Sequence, residues 1–538
     1  MRPAIQDLPT DRPLHRLGSW IALGVWLALL ATILVDRMAQ PWRPLLAWCG
    51  IALLALVDCP SPRREGGALR RRLAVAGLGA LLSTILAIDI GMLVDRAPQA
   101  INVWYLRARH ELWHDFWTDP SPLLILATWW FAAPFVIDAW RARREPRARS
   151  AEALTRRHAL WLLAWAFWIG VAMFASIRPD RAYYRFPQEM GLHAPLFLFW
   201  IRRAGAAPDL QRRLARIAPW MMGAALLAGL VVAIAYVTGD WNRQVAIGRA
   251  GIWRTELVER QYINGWQWRL NFPLGHHNRM GFFSMLTALL LLMAARRRGG
   301  WMRWVAVAAM LVALATLGFS LNRGSFLALV AGLMVMTVLW LGRRAAWLLL
   351  LLPAAWLAMS DLQRQQVLSL VDRETYRSPQ STVVTRLDHW RLAARLIREN
   401  PVFGIGYSWR HFEEYAEDYA KQVGAPVYEK AHAHNYWLQT AAETGLPGML
   451  LYLGWTIGRW SLLLALVRRR RRLPAGERGL IEGWCGVEAA IQVYCLGNLP
   501  LRHGLGLLTW GIWAVMWVDL VRLWRAAQDP AGAPSETS

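Results

Sequence analysis

The chain has 538 residues, 56% of them hydrophobic, and a formal charge of +25. That is more apolar material than soluble cores of this size need, and the charge comes almost entirely from arginines in short bursts between apolar runs, with Lys421 and Lys430 as the lysines. Lipid is the expected solvent, and nucleic-acid binding is set aside, because a basic binding face would gather its charges rather than use them to punctuate hydrophobic runs.

A bilayer core of about 30 Å needs about 20 mostly apolar helical residues. Such runs lie near 17–35, 42–57, 73–94, 122–140, 159–176, 217–237, 279–295, 302–319, 324–341, 345–359, 447–467, 483–499 and 505–523. The first is longer than a signal-peptide core and lacks a small-residue cleavage site, so it reads as a retained span. Cys49, Cys59, Cys485 and Cys495 sit in or beside apolar runs or in an Arg-rich loop and imply no disulfide framework.

Arginine clusters at 63–72, 141–157, 202–213, 296–298, 343–344 and 468–472 are expected on the cytoplasmic side. The faces alternate throughout if the shorter stretch 187–201 also crosses, which puts both termini inside; as a re-entrant segment it would not cross. The expected fold is an all-α polytopic membrane protein of about 12–14 transmembrane helices. It divides into N-terminal helices (1–237), central helices with an outer loop (238–360), a helical outer segment (361–447), C-terminal helices (448–525) and a flexible tail (526–538).

In the outer segment the pattern predicts a helix from Thr385 with Leu387, Trp390, Ala394 and Ile397 on one face, ended by Asn400-Pro401, lying at the membrane interface. A second helix begins at His434-Asn435 and ends at Gly445, with Pro447 starting the next span. At that N-terminus the helix dipole favours neutral His434, which suits a general base; the plainer reading is a capping histidine. His432 and His434 alone are a weak metal signal, so no metal or other cofactor is expected.

Two further stretches bring arginines to the same outer face. Trp268 to Gly281 carries Arg269 and Arg279 in a loop, and Phe319 to Ser325 places Arg323 between two spans with almost no loop. One arginine alone could snorkel to lipid headgroups. Several always-charged forks beside a base are what a diphosphate site requires.

The Ser-x-x-Arg323-Gly turn, the Arg386-x-x-x-Trp390 helix followed by Asn400-Pro-Val-Phe-Gly-Ile-Gly406, and His432-Ala-His-Asn-x-x-Leu-Gln-x-x-x-Glu-x-Gly-x-x-Gly448 resemble the O-antigen ligase/polymerase family. The resemblance covers about 269–448. It implies a GT-C-type architecture with a helical periplasmic subdomain in the bacterial inner membrane, and metal-independent transfer of a glycan from undecaprenyl diphosphate to an acceptor hydroxyl at the periplasmic face. Lipid A-core is the first acceptor to consider, another repeat unit (Wzy-type polymerase) or a protein hydroxyl the next.

On this resemblance His434 is the base, Arg269 and Arg323 hold the diphosphate with Arg279 competing for that role, and His432, Asn435, Asn278 and Arg386 support them. The chain departs from the family pattern in His276-His277 ahead of Asn278 and in having more spans than the ligases. A competing class, a transporter or flippase, would leave charged residues near the bilayer midplane. Of Asp89, Asp138, Glu482 and Glu488, only Asp89 reads as deep.

Overall fold

The computed structural model describes residues 70–79, 121–141, 151–175, 193–203, parts of 220–230, 258–262, 266–270, 276–297, 299–342, 382–407, 409–423, 432–501 and 503–528. The runs near 17–35, 42–57 and 345–359, most of those near 73–94 and 217–237, both termini, Cys49, Cys59 and Asp89 lie outside these residues.

The helices are α1 (Ser121–Arg141), α2 (Ala151–Phe174), α3 (His193–Arg203), α4 (His277–Arg297), α5 (Gly300–Ser320), α6 (Arg323–Leu341), α7 (Thr382–Glu399), α8 (Trp409–Val423), α9 (Tyr436–Arg469), α10 (Ala475–Cys495) and α11 (His503–Gln528). By length and composition α4, α5, α6 and α9 can each cross a membrane. The chain is an all-α polytopic membrane protein, with one hairpin, β1 (Val258–Tyr262) and β2 (Trp266–Leu270), added among the described residues. Arg269, expected in a loop, is therefore a strand residue paired with Glu259. At eleven residues, α3 reaches about 16 Å at 1.5 Å per residue, roughly half the hydrocarbon core. Residues 187–192 of the expected crossing lie outside the described residues.

Small residues set the closest helix contacts, as expected where lipid offers no hydrophobic drive for association. α6 meets α10 at Gly332, where a Cβ would stand 2.7 Å from the Gly486 carbonyl oxygen. α4 meets the α5–α6 turn at Gly281, where a Cβ would stand 2.7 Å from the Asn322 side chain.

Two expectations change. The buried face of α7 is His389, Leu392, Ala393 and Leu396, packed with Phe412 and Ala416 of α8 and Ala442 of α9. Leu387 and Ala394 of the expected face are exposed. Glu488, read as lying near a span end, is in mid-helix because α10 begins at Ala475.

Glu488 is fully buried and pairs at 3.1 Å with the equally buried Arg459 of α9. Trp513 of α11 donates to its other oxygen at 2.6 Å, and Gln492 donates at 2.9 Å. The Arg459 guanidinium lies over the rings of Trp455 and Trp513, 4.2 and 4.0 Å from their centres. Removing one member leaves the other charged and unsolvated. Arg459→Ala is expected to lower stability by about 3–5 kcal/mol, read as an earlier unfolding transition of the solubilised protein. The double change Arg459→Met/Glu488→Leu should cost less than either single change.

Candidate active site

The site forms where α4, α6, α7, α9 and the end of α10 converge. Its first wall is the turn between α5 and α6. Leu321 takes a left-handed conformation, φ 50°, to end α5, and Asn322 caps α6. The Asn322 carboxamide accepts from the Ser325 N–H at 2.9 Å and donates to Asn278 Oδ1 at 2.8 Å. Tyr494 of α10 donates its hydroxyl to the Asn278 carbonyl at 2.9 Å. Arg323, the first helical residue after this cap, is thereby fixed against both α4 and α10.

The second wall is the segment 432–435. His434 holds φ 49°, an uncommon conformation for a residue with a side chain. Both sides of the segment hold it there. Gln439 Oε1 accepts from the Ala433 N–H at 2.7 Å while its Nε2 donates to buried Glu443 at 2.6 Å. Asn435 caps α9 by accepting from the N–H groups of Trp437 and Leu438 at 3.0 and 3.2 Å. From α7, buried His389 hydrogen-bonds the backbone of His432.

At the break in α9 at Gly445, φ 70°, three carbonyls take donors from outside the helix. Ile405 N–H donates to Ala442 at 2.9 Å, Gly406 N–H to Glu443 at 3.0 Å, and the Trp168 indole to Thr444 at 2.7 Å. The Asn400–Gly406 run is thus a backbone plug for the broken helix, and both Gly404 and Gly445 lie where a Cβ would strike the opposing backbone.

The walls bring cations and imidazoles together. His434 lies against His432, tilted by 35° with ring centres 3.9 Å apart, and parallel to His389 at 5.9 Å. Its Nδ1 is buried without a hydrogen-bond partner. Burial first, then the charges of His432, Arg386, His389 and His276, holds the His434 imidazole well below its usual pKa. Half-buried Arg386 of α7 faces both Tyr494 and the guanidinium of Arg323, and its own pKa is lowered chiefly by burial.

Of the residues singled out in the sequence, Arg323, Arg386, His432, His434, Asn435 and Asn278 meet here. Arg279 stands in the first turn of α4 beside Asn278. Arg269 is placed by its backbone on β2, which packs against α4 and α5; its side chain lies outside the described residues. His389, Asn322, Tyr494 and Asn498 were not anticipated. His389 lies one turn from Arg386 on α7, and Asn322 precedes a helix as a cap should, so both carried a local signal; Tyr494 and Asn498 carried none. Among the described residues no group of three or more His, Cys, Asp or Glu side chains could hold a metal ion.

Because folded His434 resists the proton that the unfolded chain accepts below the usual value of 6.5, its contribution to stability is present above that pH and lost as pH falls. His434→Gln should flatten the acid side of a stability–pH curve, and the wild-type imidazole should remain neutral at pH 6 by NMR.

Residues 308–453, about a quarter of the chain, match the family model described as O-antigen ligase. No curated protein matches the chain. The matched stretch contains Arg323, Arg386, His389, His432 and His434, and ends before Tyr494 and Asn498. Over this site-building segment the chain is similar to the O-antigen ligase family.

Proposed function

We propose that the protein transfers a glycan from undecaprenyl diphosphate to an acceptor hydroxyl, with lipid A-core as the acceptor, at the periplasmic face of the bacterial inner membrane. The family match supports O-antigen ligase-type glycan transfer; donor, acceptor, GT-C class, metal independence and membrane face belong to the proposal. The observation that carries it is a buried imidazole, His434, held well below its usual pKa in part by the Arg386 guanidinium, which itself feels the charge of Arg323. Like charges so placed repel each other and disfavour burial, and a dianion between them relieves both costs.

In the reaction His434 takes the proton of the acceptor hydroxyl. The acceptor oxygen bonds to the sugar anomeric carbon as that carbon's bond to the diphosphate oxygen breaks. The electron pair leaves with the polyprenyl diphosphate, whose growing charge Arg323 and Arg386 neutralise, joined by Arg269 or Arg279. A diphosphate is already a good leaving group, so orientation, charge neutralisation and a modest base suffice, without a metal or other cofactor. The lowered basicity of His434 keeps it unprotonated at neutral pH beside these cations. Asn435, His432 and Asn278 support the geometry through the cap, the adjoining ring and the bond to the Arg323 turn.

With purified protein, lipid-linked glycan and acceptor, His434→Ala should lower transfer by about 10²–10⁴-fold and Arg323→Ala by about 10²–10³-fold. Full transfer by both variants would refute the assignment. In a deletion strain, loss of all long glycan from lipid A is the expected result; persistence of a single-repeat band would identify a polymerase instead.

A further inference from the structure

We infer that the first turn of α6 and the side chain of Asn498 form a cradle for a phosphate group, making Asn498 a donor-binding residue; this rests on reading the site as one for a lipid-linked diphosphate. The first-turn amides of the 19-residue α6 have no carbonyl of their own helix to bond. Asn322 serves one of them, accepting from Ser325 N–H through its side chain at 2.9 Å, while its carbonyl takes the first helical bond, from Phe326 N–H at 3.1 Å. The Gly324 N–H is directed out of the helix end, where the dipole favours an anion.

Asn498, only 5% exposed, sits against that turn. Its Nδ2 is buried without a hydrogen-bond partner, and a Cβ built on Gly324 would lie 2.8 Å from it. A buried donor with no acceptor is costly and uncommon, and here it adjoins an outward-facing backbone donor. One phosphate oxygen could accept from both. The missing side chain at position 324 keeps that approach open, since any larger residue would meet the Asn498 amide.

The same turn reaches the charged part of the site. A Cβ on Gly497 would stand 3.6 Å from Nη1 of Arg386, so the residues after α10 touch the α6 terminus on one side and the α7 guanidinium on the other. The arginines supply charge, which is long-ranged and tolerant of position. Backbone and carboxamide donors are short-ranged and set where the phosphate stops.

The test is binding of a polyprenyl diphosphate, and separately of inorganic pyrophosphate, to the full-length protein in lipid nanodiscs. Asn498→Leu removes the donor at similar size, and Asn498→Ala removes it should leucine prevent folding. Each should weaken binding of the lipid diphosphate by about tenfold, the loss of one hydrogen bond to a charged group, with the acceptor KM unchanged and no loss of unfolding temperature. Asn498→Ser, which retains a donor, should recover part of the affinity. If the Leu and Ala variants bind the lipid diphosphate as tightly as the parent while Arg323→Ala does not, the cradle is wrong and the donor site stands. Weakened binding of pyrophosphate alone would likewise refute the cradle as a donor site. A parent protein that binds no polyprenyl diphosphate would overturn the inference and the proposed function together.

Discussion

At the break in α9, three buried carbonyls are reached by donors from outside the helix, and these bonds organise the rest of the site. Unpaired polar backbone is tolerated at membrane depth only where protein supplies partners. Here the partners come from the Asn400–Gly406 run and from Trp168 on α2. That run follows α7 directly, so plugging the carbonyls also docks α7, with Arg386 and His389, beside the segment bearing His434. The Asn-Pro-Val-Phe-Gly-Ile-Gly and Glu-x-Gly motifs are two halves of one backbone joint, some forty residues apart in the chain.

Charge follows from this arrangement. Docking α7 brings Arg386 toward Arg323, and the same burial that makes their proximity expensive keeps His434 neutral. A protonated imidazole would add a further like charge to the cluster, so the arginines that would suit an anionic ligand also keep the proposed base neutral. The left-handed backbone of His434, held by Gln439, Asn435 and His389, is a local cost met by the surrounding hydrogen bonds.

Much of this was legible from residues alone. The apolar runs closed by Arg296-Arg297, Gly299-Gly300 and Gly342 gave α4, α5 and α6 nearly to the residue, and Gly445 with Pro447 announced the break in α9. The hairpin was overlooked although Asn264-Gly265 between two short strands is a strong turn signal. α7 was phased on the wrong stripe because His389 counts as polar by type but is buried among α8 and α9. Glu488 seemed peripheral because hydropathy placed the start of its span eight residues after the helix begins. Tyr494 and Asn498 could not be foreseen, since only the packing of α10 against α6 makes them neighbours of Arg323.

The buried Arg459–Glu488 pair, with Trp513 closing its third side, couples α9, α10 and α11 deep in the bundle. The segment bearing His434 leads into α9, and the turn bearing Asn498 leaves α10. The clamp therefore acts like the pivot of a pair of calipers, fixing the gap between the proposed base and the proposed phosphate seat. On the proposed function, such a caliper would gauge the junction between donor and acceptor alone. Sugars extending beyond that junction would then fall outside its jaws, and a glycan of any length would present it with the same few ångströms.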